Sequence, residues 1–389
     1  MTLELPAIAR IAAALVTALL ISFIATPFVK SIAQMVGAVD VPKDNRRMHT
    51  HPIPRMGGLA IFLGFLLSAL IFIPMSQPLR GMLLGSVIIV ILGIFDDIYA
   101  LPAMPKLIVQ IAAALVAVLH GNVIQVLSNP NVFSENPYWT LGKLAIPLSV
   151  IWIVAITNAV NLIDGLDGLA VGVSTISSMT MLVIAMLVSE NAVALMMAAL
   201  AGGCIGFMPY NLNPAKIFMG DTGSTFLGFI LATVSIQGLF KFYTIISFAV
   251  PFLMLGLPLF DTCFAILRRI SKGQSPMSPD RSHVHHRLID MGFNQKQAVA
   301  ILYVISAILG LSAVVLTTNG ALKAMVLLCA LCLAGLISGK IFLSHNEGHH
   351  ENSEKKESNH HATESDDDLR DPPGGGENGP SGEGTGGQT

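Results

Sequence analysis

Apolar runs of bilayer length recur along almost the whole of this chain. A hydrocarbon core about 30 Å thick takes roughly 20 helical residues to cross. By that measure about eleven spans fall at 3–25, 57–75, 80–95, 105–120, 143–160, 169–188, 192–210, 223–240, 243–267, 298–317 and 322–343. Backbone N–H and C=O groups find no partner in lipid, so runs of this kind cross as helices. Of the 389 residues, 53% are hydrophobic and 12% charged, where a soluble domain carries about 25% charged. The expected fold is all-α, a polytopic integral membrane protein with one membrane domain over 1–344. Residues 345–389 form a tail with five of the eleven histidines, an acidic run (Asp366, Asp367, Asp368) and a Gly/Pro/Ser-rich end. Such a segment cannot bury a core and is expected to be disordered.

Glu4, rather than a basic run, precedes the first span, and no small-residue cleavage site follows it, so it reads as a retained helix. Cys204, Cys263, Cys329 and Cys332 all fall inside apolar spans and read as small buried hydrophobes. The 22 lysines and arginines are unevenly shared: Arg10, Arg80, Lys143, Lys241 and Lys323 mark one side, three lie in the tail, and the remainder mark the other side. The positive-inside rule makes that second side cytoplasmic. Eleven spans then put the N-terminus outside and the C-terminus in the cytoplasm.

Alternation of the spans places five polar clusters on that cytoplasmic side. Charged and amide groups are costly near a bilayer, so this many at one face imply an anionic ligand. The first cluster, Asp40–Gly58, is basic and proline-punctuated. Its Lys43, Arg46, Arg47 and Arg55 suit phosphate oxygens, and Gly57 and Gly58 allow close backbone approach. The second is Asp96-Asp97, two adjacent carboxylates whose repulsion a divalent cation or a proton relieves. In the third, Asn158, Asn161, Asp164 and Asp167 recur at spacing three, a polar stripe if the segment is helical, with Gly165 and Gly168 loosening it. The fourth, Asn211–Ser224, sets Asp221 between glycines at an expected helix N-cap, where the helix dipole favours phosphate. The fifth joins Asp261, Arg268 and Arg269 to His283, His285 and His286, flanked by Arg281 and Arg287. The arginines make it a phosphate or pyrophosphate contact rather than a transition-metal site. Aspartates for a hard cation, with Arg, Lys and His for phosphate oxygens, form the kit for phosphoryl transfer. Oxygen donors select Mg²⁺, with Mn²⁺ as a substitute. A transporter would set its polar groups at mid-membrane on repeated halves; here they sit at span ends, and no halves repeat.

Asp-Asp after an apolar run, Asn158-Ala-Val-Asn-Leu-Ile-Asp-Gly-Leu-Asp-Gly168, Phe218-Met-Gly-Asp-Thr-Gly-Ser224 and Ser282-His-Val-His-His-Arg287 together resemble the polyprenyl-phosphate N-acetylhexosamine-1-phosphate transferase superfamily. The resemblance covers residues 1–343. It implies eleven spans with cytoplasmic catalytic loops and transfer of a sugar 1-phosphate from a UDP-sugar to undecaprenyl phosphate, releasing UMP. His-x-His-His at 283–286 resembles the N-acetylglucosamine branch, whose members begin wall teichoic acid, enterobacterial common antigen or O-antigen. The Asp40-Val-Pro-Lys-Asp44 and Arg46-Arg-Met-His-Thr-His-Pro52 runs resemble its Gram-positive, teichoic-acid members. By this resemblance Asp221 is the main Mg²⁺ ligand, and Asp96 and Asp97 are the catalytic pair. Asp164 and Asp167 line the nucleotide-sugar site with Asn161, and His283, His285 and His286 serve the phosphate and sugar region between Arg281 and Arg287. Asn211 and Phe218 contact uracil, the latter by stacking, with Leu162 and Gly165 nearby, and Lys43 and Arg55 approach phosphate. The expected partners are undecaprenyl phosphate, UDP-N-acetylglucosamine and the inner membrane leaflet; no nucleic acid is expected, and a homodimer is allowed. Phospho-N-acetylmuramoyl-pentapeptide transfer is the alternative within the same superfamily.

Overall fold

The computed structural model describes residues 5–42, 51–128, 136, 138–238, 246–271, 273 and 283–317. All of these lie in one compact unit, Met1–Leu331. Lys43, Arg281, the eleventh expected span and the tail lie outside the described residues.

Each of the first ten expected spans corresponds to helix. In chain order the helices are α1 Leu5–Met35, α2 Gly58–Phe72, α3 Gln77–Tyr99, α4 Ala103–Leu119, α5 Ala145–Leu162, α6 Leu169–Leu187, α7 Asn191–Asn211 and α8 Gly220–Gly238. They continue with α9 Ile246–Met254, α10 Gly256–Ser271, α11 Val284–Asp290 and α12 Gln295–Thr317. Two short antiparallel hairpins join them: β1 (Val39–Asp40) with β2 (Ile53–Pro54), and β3 (Val126–Ser128) with β4 (Tyr138–Thr140). Among the described residues six helices, α1, α3, α5, α6, α7 and α12, are each long and apolar enough to cross a membrane, and α2 and α4 are shorter apolar helices. The chain is a helical membrane protein.

The ninth expected span is two helices, not one. Pro258 has no N–H to give the Met254 carbonyl, which in a continuous helix would be its i−4 partner. That carbonyl instead accepts from Ser177 Oγ of α6 at 2.9 Å. α9 therefore ends at Met254 and α10 begins at Gly256. One face of α10 buries Leu257, Asp261, Ala265 and Arg269, while Phe260, Phe264, Leu267 and Ile270 are exposed.

α8 forms the centre. It packs against α2, α3, α5, α6 and α7, and its residues from Thr222 to Ile236 are all buried. Phe226 meets Phe62 and Phe65 of α2 edge-on, at 5.4 and 5.7 Å between centroids. Enclosure by protein rather than lipid is why this helix carries Thr, Ser and Gly along its length.

The helix ends alternate as the sequence predicts. Starts of α2, α4, α6, α8 and α12 meet ends of α3, α5 and α7 at one pole, where the polar clusters gather. At the other pole Asn122 donates to the carbonyls of Pro78 and Ala117 and accepts from Gln237 of α8.

Candidate active site

The segment leading into α8 is strapped down by backbone bonds. Phe218 N donates to the Pro54 carbonyl of β2 (2.8 Å), while Gly57 N and Gly58 N of the α2 entry donate to the carbonyls of Phe218 and Met219 (2.9 Å each). Gly58 lies so close to Gly223 that a Cβ on it would overlap the α8 backbone. This is the close approach for which the glycine pair is needed.

Asp221 is the second residue of α8, not its N-cap. Its carboxylate faces away from the helix and accepts through Oδ2 from Lys106 Nζ of α4 (3.0 Å) and Asn161 Nδ2 of α5 (3.4 Å). Asn161 is steadied by Ser224 Oγ, which donates to its Oδ1 at 2.6 Å. The same Lys106 ammonium donates to Asp96 Oδ2 at 2.9 Å, and Leu101 N donates to Asp96 Oδ1 at 2.7 Å. Lys106 thus bridges two carboxylates from different helices, beneath which Asn158 Nδ2 donates to Gln110 Oε1. Asp97 has turned the other way. Asp221 N, Thr222 N and Thr222 Oγ1 all donate to it, at 2.9, 3.1 and 2.6 Å.

The stripe expected from Asn158 to Asp167 stops at Leu162, where α5 ends. Asp164 and Asp167 sit in the turns before α6, because Gly165 and Gly168, the latter at φ +80°, break the helix. Burial, and the carboxylates of Asp221, Asp97 and Asp167 around it, push Asp164 up to about 8, with the Arg55 guanidinium opposing them. Arg55 also pairs with Asp40 across the β1–β2 hairpin (3.0 Å). Asp167 ties loops together. Its Oδ2 accepts from Asn213 Nδ2 (2.9 Å) and Ala215 N (3.1 Å), and Asn213 also donates to Gln295 Oε1 of α12. Tyr303 of α12 donates to the Gly168 carbonyl at 2.5 Å.

Asn211 is only 3% exposed, and its amide is engaged on both sides. Gly168 N donates to its Oδ1 (3.2 Å), and its Nδ2 donates to the Ile217 carbonyl (3.1 Å). It thereby joins the α5–α6 turn to the α8 approach. The Phe218 ring is half-buried, and Leu162 is exposed.

The histidine cluster is also divided. His283 is the N-cap of α11 and is buried against Asp261 of α10, with Nδ1 2.9 Å from Oδ2; Val284 N donates to the other carboxylate oxygen at 2.9 Å. His283 therefore anchors α11 to α10 through Asp261. His285 lies on Gly165, where a Cβ would run into its ring. Burial, chiefly, and the neighbouring His286 push its pKa down to about 4, so it is neutral at physiological pH. The rings of His285 and His286 are 4.3 Å apart, and Arg287 is exposed on the same helix.

Among the described residues no group of three or more His, Cys, Asp or Glu side chains could by itself hold a metal ion. Asp96 and Asp221 fit Mg²⁺ nonetheless: they are hard oxygen donors already gathered about a cation. Mg²⁺ is commonly held by one or two carboxylates with substrate phosphates completing its shell. Sequence reasoning missed Lys106. Its signal was a lysine at the start of an apolar span only nine residues beyond Asp97, on the face that carries the acids.

A family model described as glycosyl transferase family 4 matches residues 79–239, the stretch from α3 to the end of α8. A Bacillus subtilis (strain 168) protein named as a probable undecaprenyl-phosphate N-acetylglucosaminyl 1-phosphate transferase is 44% identical over 308 residues, covering 79% of this chain and 85% of its own. The decaprenyl-phosphate N-acetylglucosaminephosphotransferase of Mycolicibacterium smegmatis is 34% identical over 320 residues, 74% of this chain and 77% of its own. A phospho-N-acetylmuramoyl-pentapeptide-transferase of Staphylococcus aureus is 30% identical over 318 residues, 76% and 95% of the two chains. With its acids, lysine and histidines gathered at one pole of a helical membrane domain, the chain belongs to glycosyl transferase family 4, on the branch of the polyprenyl-phosphate N-acetylglucosamine-1-phosphate transferases.

Proposed function

We propose that this protein transfers N-acetylglucosamine 1-phosphate from UDP-N-acetylglucosamine to undecaprenyl phosphate, releasing UMP, and so begins a lipid-linked cell-wall polymer such as teichoic acid. The observation that carries the reading is the Lys106 ammonium seated between Asp96 and Asp221, at 2.9 and 3.0 Å. A cationic seat between acids of two helices suits a diphosphate arriving with its counter-ion. The similarity to an N-acetylglucosaminyl transferase at 44%, against 30% for a pentapeptide transferase, favours the simpler sugar. The density of Lys and Arg on the site's side of the sequence supports a site at the cytoplasmic face.

When bound on Asp221, Mg²⁺ (or Mn²⁺) would neutralise charge on the diphosphate. Lys106 adds a fixed positive charge beside it, and Asn161 holds Asp221 in place. An oxygen of the lipid phosphate attacks the β-phosphorus of the donor. The bond from that phosphorus to the bridging oxygen breaks, and UMP departs with the electron pair. A phosphate monoester has a second pKa near 6, so the acceptor is largely dianionic at neutral pH and needs no strong base. Asp96, reaching the seat from α3, orients the acceptor and takes up any remaining proton. His286 and Arg287 project from α11 toward the sugar phosphate. The exposed apolar stripe of α10, made of Phe260, Phe264, Leu267 and Ile270, suits a polyprenyl tail entering from the bilayer.

The test is UMP release by purified protein supplied with undecaprenyl phosphate, Mg²⁺ and a panel of UDP-sugars. UDP-N-acetylglucosamine is expected to support turnover and UDP-N-acetylmuramoyl-pentapeptide not to. The opposite preference would overturn the assignment. Asp221→Asn is expected to abolish turnover even at saturating Mg²⁺.

A further inference from the structure

Asp97 is the more deeply engaged member of the acidic pair. It is 7% exposed, and three of the roughly four lone-pair directions of a carboxylate are taken by donors of one helix end: Asp221 N, Thr222 N and Thr222 Oγ1. The first N–H groups of a helix have no partner within it. A residue just before the helix normally supplies the cap. Here Met219 precedes the helix and Gly220, at φ +71°, opens it, and neither brings a side-chain oxygen to those N–H groups. A Cβ at Gly220 would meet the Asp97 carboxylate, and one at Gly93, one turn earlier on α3, would overlap the backbone of Thr222. Two glycines thus clear the way for α3 to cap α8. Asp221 is consequently gripped at both ends, by Asp97 through its amide and by Lys106 and Asn161 through its carboxylate.

We infer that Asp97 is a positioning residue: by capping α8 from α3 it fixes the direction in which Asp221 offers its carboxylate to a divalent cation, and it leaves Asp96 as the member of the pair that faces the reacting groups. This rests on the reading of Asp221 as a metal ligand. An acid meant to receive a proton from substrate needs an open lone pair aimed at it, whereas the oxygens of Asp97 are aimed at α8. Outer partners that orient a ligand commonly change metal affinity by about 10- to 100-fold when removed.

The experiment measures Mn²⁺ binding to the purified full-length protein, without substrates, by electron paramagnetic resonance. Hydrogen exchange of the α8 first turn and kcat at saturating Mn²⁺ are followed in parallel. Asp97→Asn is expected to weaken Mn²⁺ binding about 10- to 100-fold and to speed exchange at residues 221–222. Thr222→Val, a buried change that touches no substrate, is expected to move both readouts the same way by a smaller factor. The double variant should bind no more weakly than Asp97→Asn alone, because both act through one cap. Unchanged Mn²⁺ affinity and unchanged exchange in Asp97→Asn, with kcat collapsed, would overturn the inference and make Asp97 a residue that acts on substrate. Asp221→Asn separates the two readings. If it binds Mn²⁺ as wild type does, the metal assignment fails; if it loses Mn²⁺ while Asp97→Asn and Thr222→Val keep it, only the positioning role fails. Should Asp97→Asn not yield folded protein, Thr222→Val decides the matter by the same two readouts.

Discussion

Lys106 offers a perturbation whose two effects run in opposite directions. Replacing it with methionine keeps the apolar stem of the side chain and deletes the charge. In the substrate-free protein the ammonium sits 2.9 Å from Asp96 Oδ2 and 3.0 Å from Asp221 Oδ2. A cation arriving on Asp221 must displace that partner. Two unit charges 3.0 Å apart attract by about 1.4 kcal/mol in bulk water and about 5.5 kcal/mol at an effective dielectric of 20. The Lys106 and Asp221 side chains are 25% and 28% exposed, so solvent screens the pair and the lower figure applies. That figure corresponds to about a tenfold change in an equilibrium constant. Lys106→Met is therefore expected to tighten Mn²⁺ binding to the substrate-free protein about tenfold. Turnover should nevertheless fall by about 100-fold or more, because the diphosphate loses a fixed positive partner worth roughly 3 kcal/mol. Metal titration by paramagnetic resonance and UMP release on the same preparation check both. Weaker Mn²⁺ binding accompanying the loss of turnover would refute the picture of Lys106 as a cation standing where a metal later binds.

Three further outcomes follow from the geometry. Asp164, raised to about 8 in the fold against about 3.8 in a free chain, binds more protons folded than unfolded between those values, so stability of the metal-free protein should fall as pH rises from about 4 to 8; Asp164→Asn should flatten that slope in thermal unfolding scans, and an unaltered slope would count against the assignment. Gly165→Ala places a methyl group where the His285 ring lies, and is expected to cut turnover about tenfold or more while leaving the thermal transition of the helices in place; wild-type turnover would show that the ring is not held there for function. Asp261→Asn and His283→Gln each loosen the same anchor of α11, so their effects on the KM for the nucleotide sugar should be far from additive, and a purely additive cycle would dissolve the pair.

Much of this architecture could be read from residues alone because lipid imposes a simple code. Length and apolarity located the first ten spans, although α1 runs on to Met35, well past the expected end at residue 25, and alternation brought Asp96, Asn161, Asp164, Asp221 and His285 to one pole. Pairing was less visible. Nothing local to Asp97 says that it will cap a helix that begins 123 residues later in the chain, since that depends on how closely α3 and α8 approach. Gly93 and Gly220 are the signal, and they are interpretable only once the helices are placed. The packing partners of Asn211 and His283 were hidden for the same reason: Gly168, Ile217 and Asp261 come from other elements, and a polar side chain near a site looks the same in sequence whether or not it also braces the scaffold. The split of the ninth span was legible in principle, because Pro258 denies Met254 its partner; the length of the apolar run concealed it.

The enclosure of α8 has a consequence for biogenesis. With Thr222, Ser224, Thr225, Thr233, Ser235 and Gln237 along it, the described part of α8 is more polar than α1, α3, α5, α6, α7 and α12. It carries Asp221, the aspartate proposed to hold the cation, and its polar residues lower its partitioning into lipid as a lone segment emerging from the ribosome. Earlier helices that receive it would offset that cost, which ties insertion of the proposed site to cooperative assembly of its neighbours.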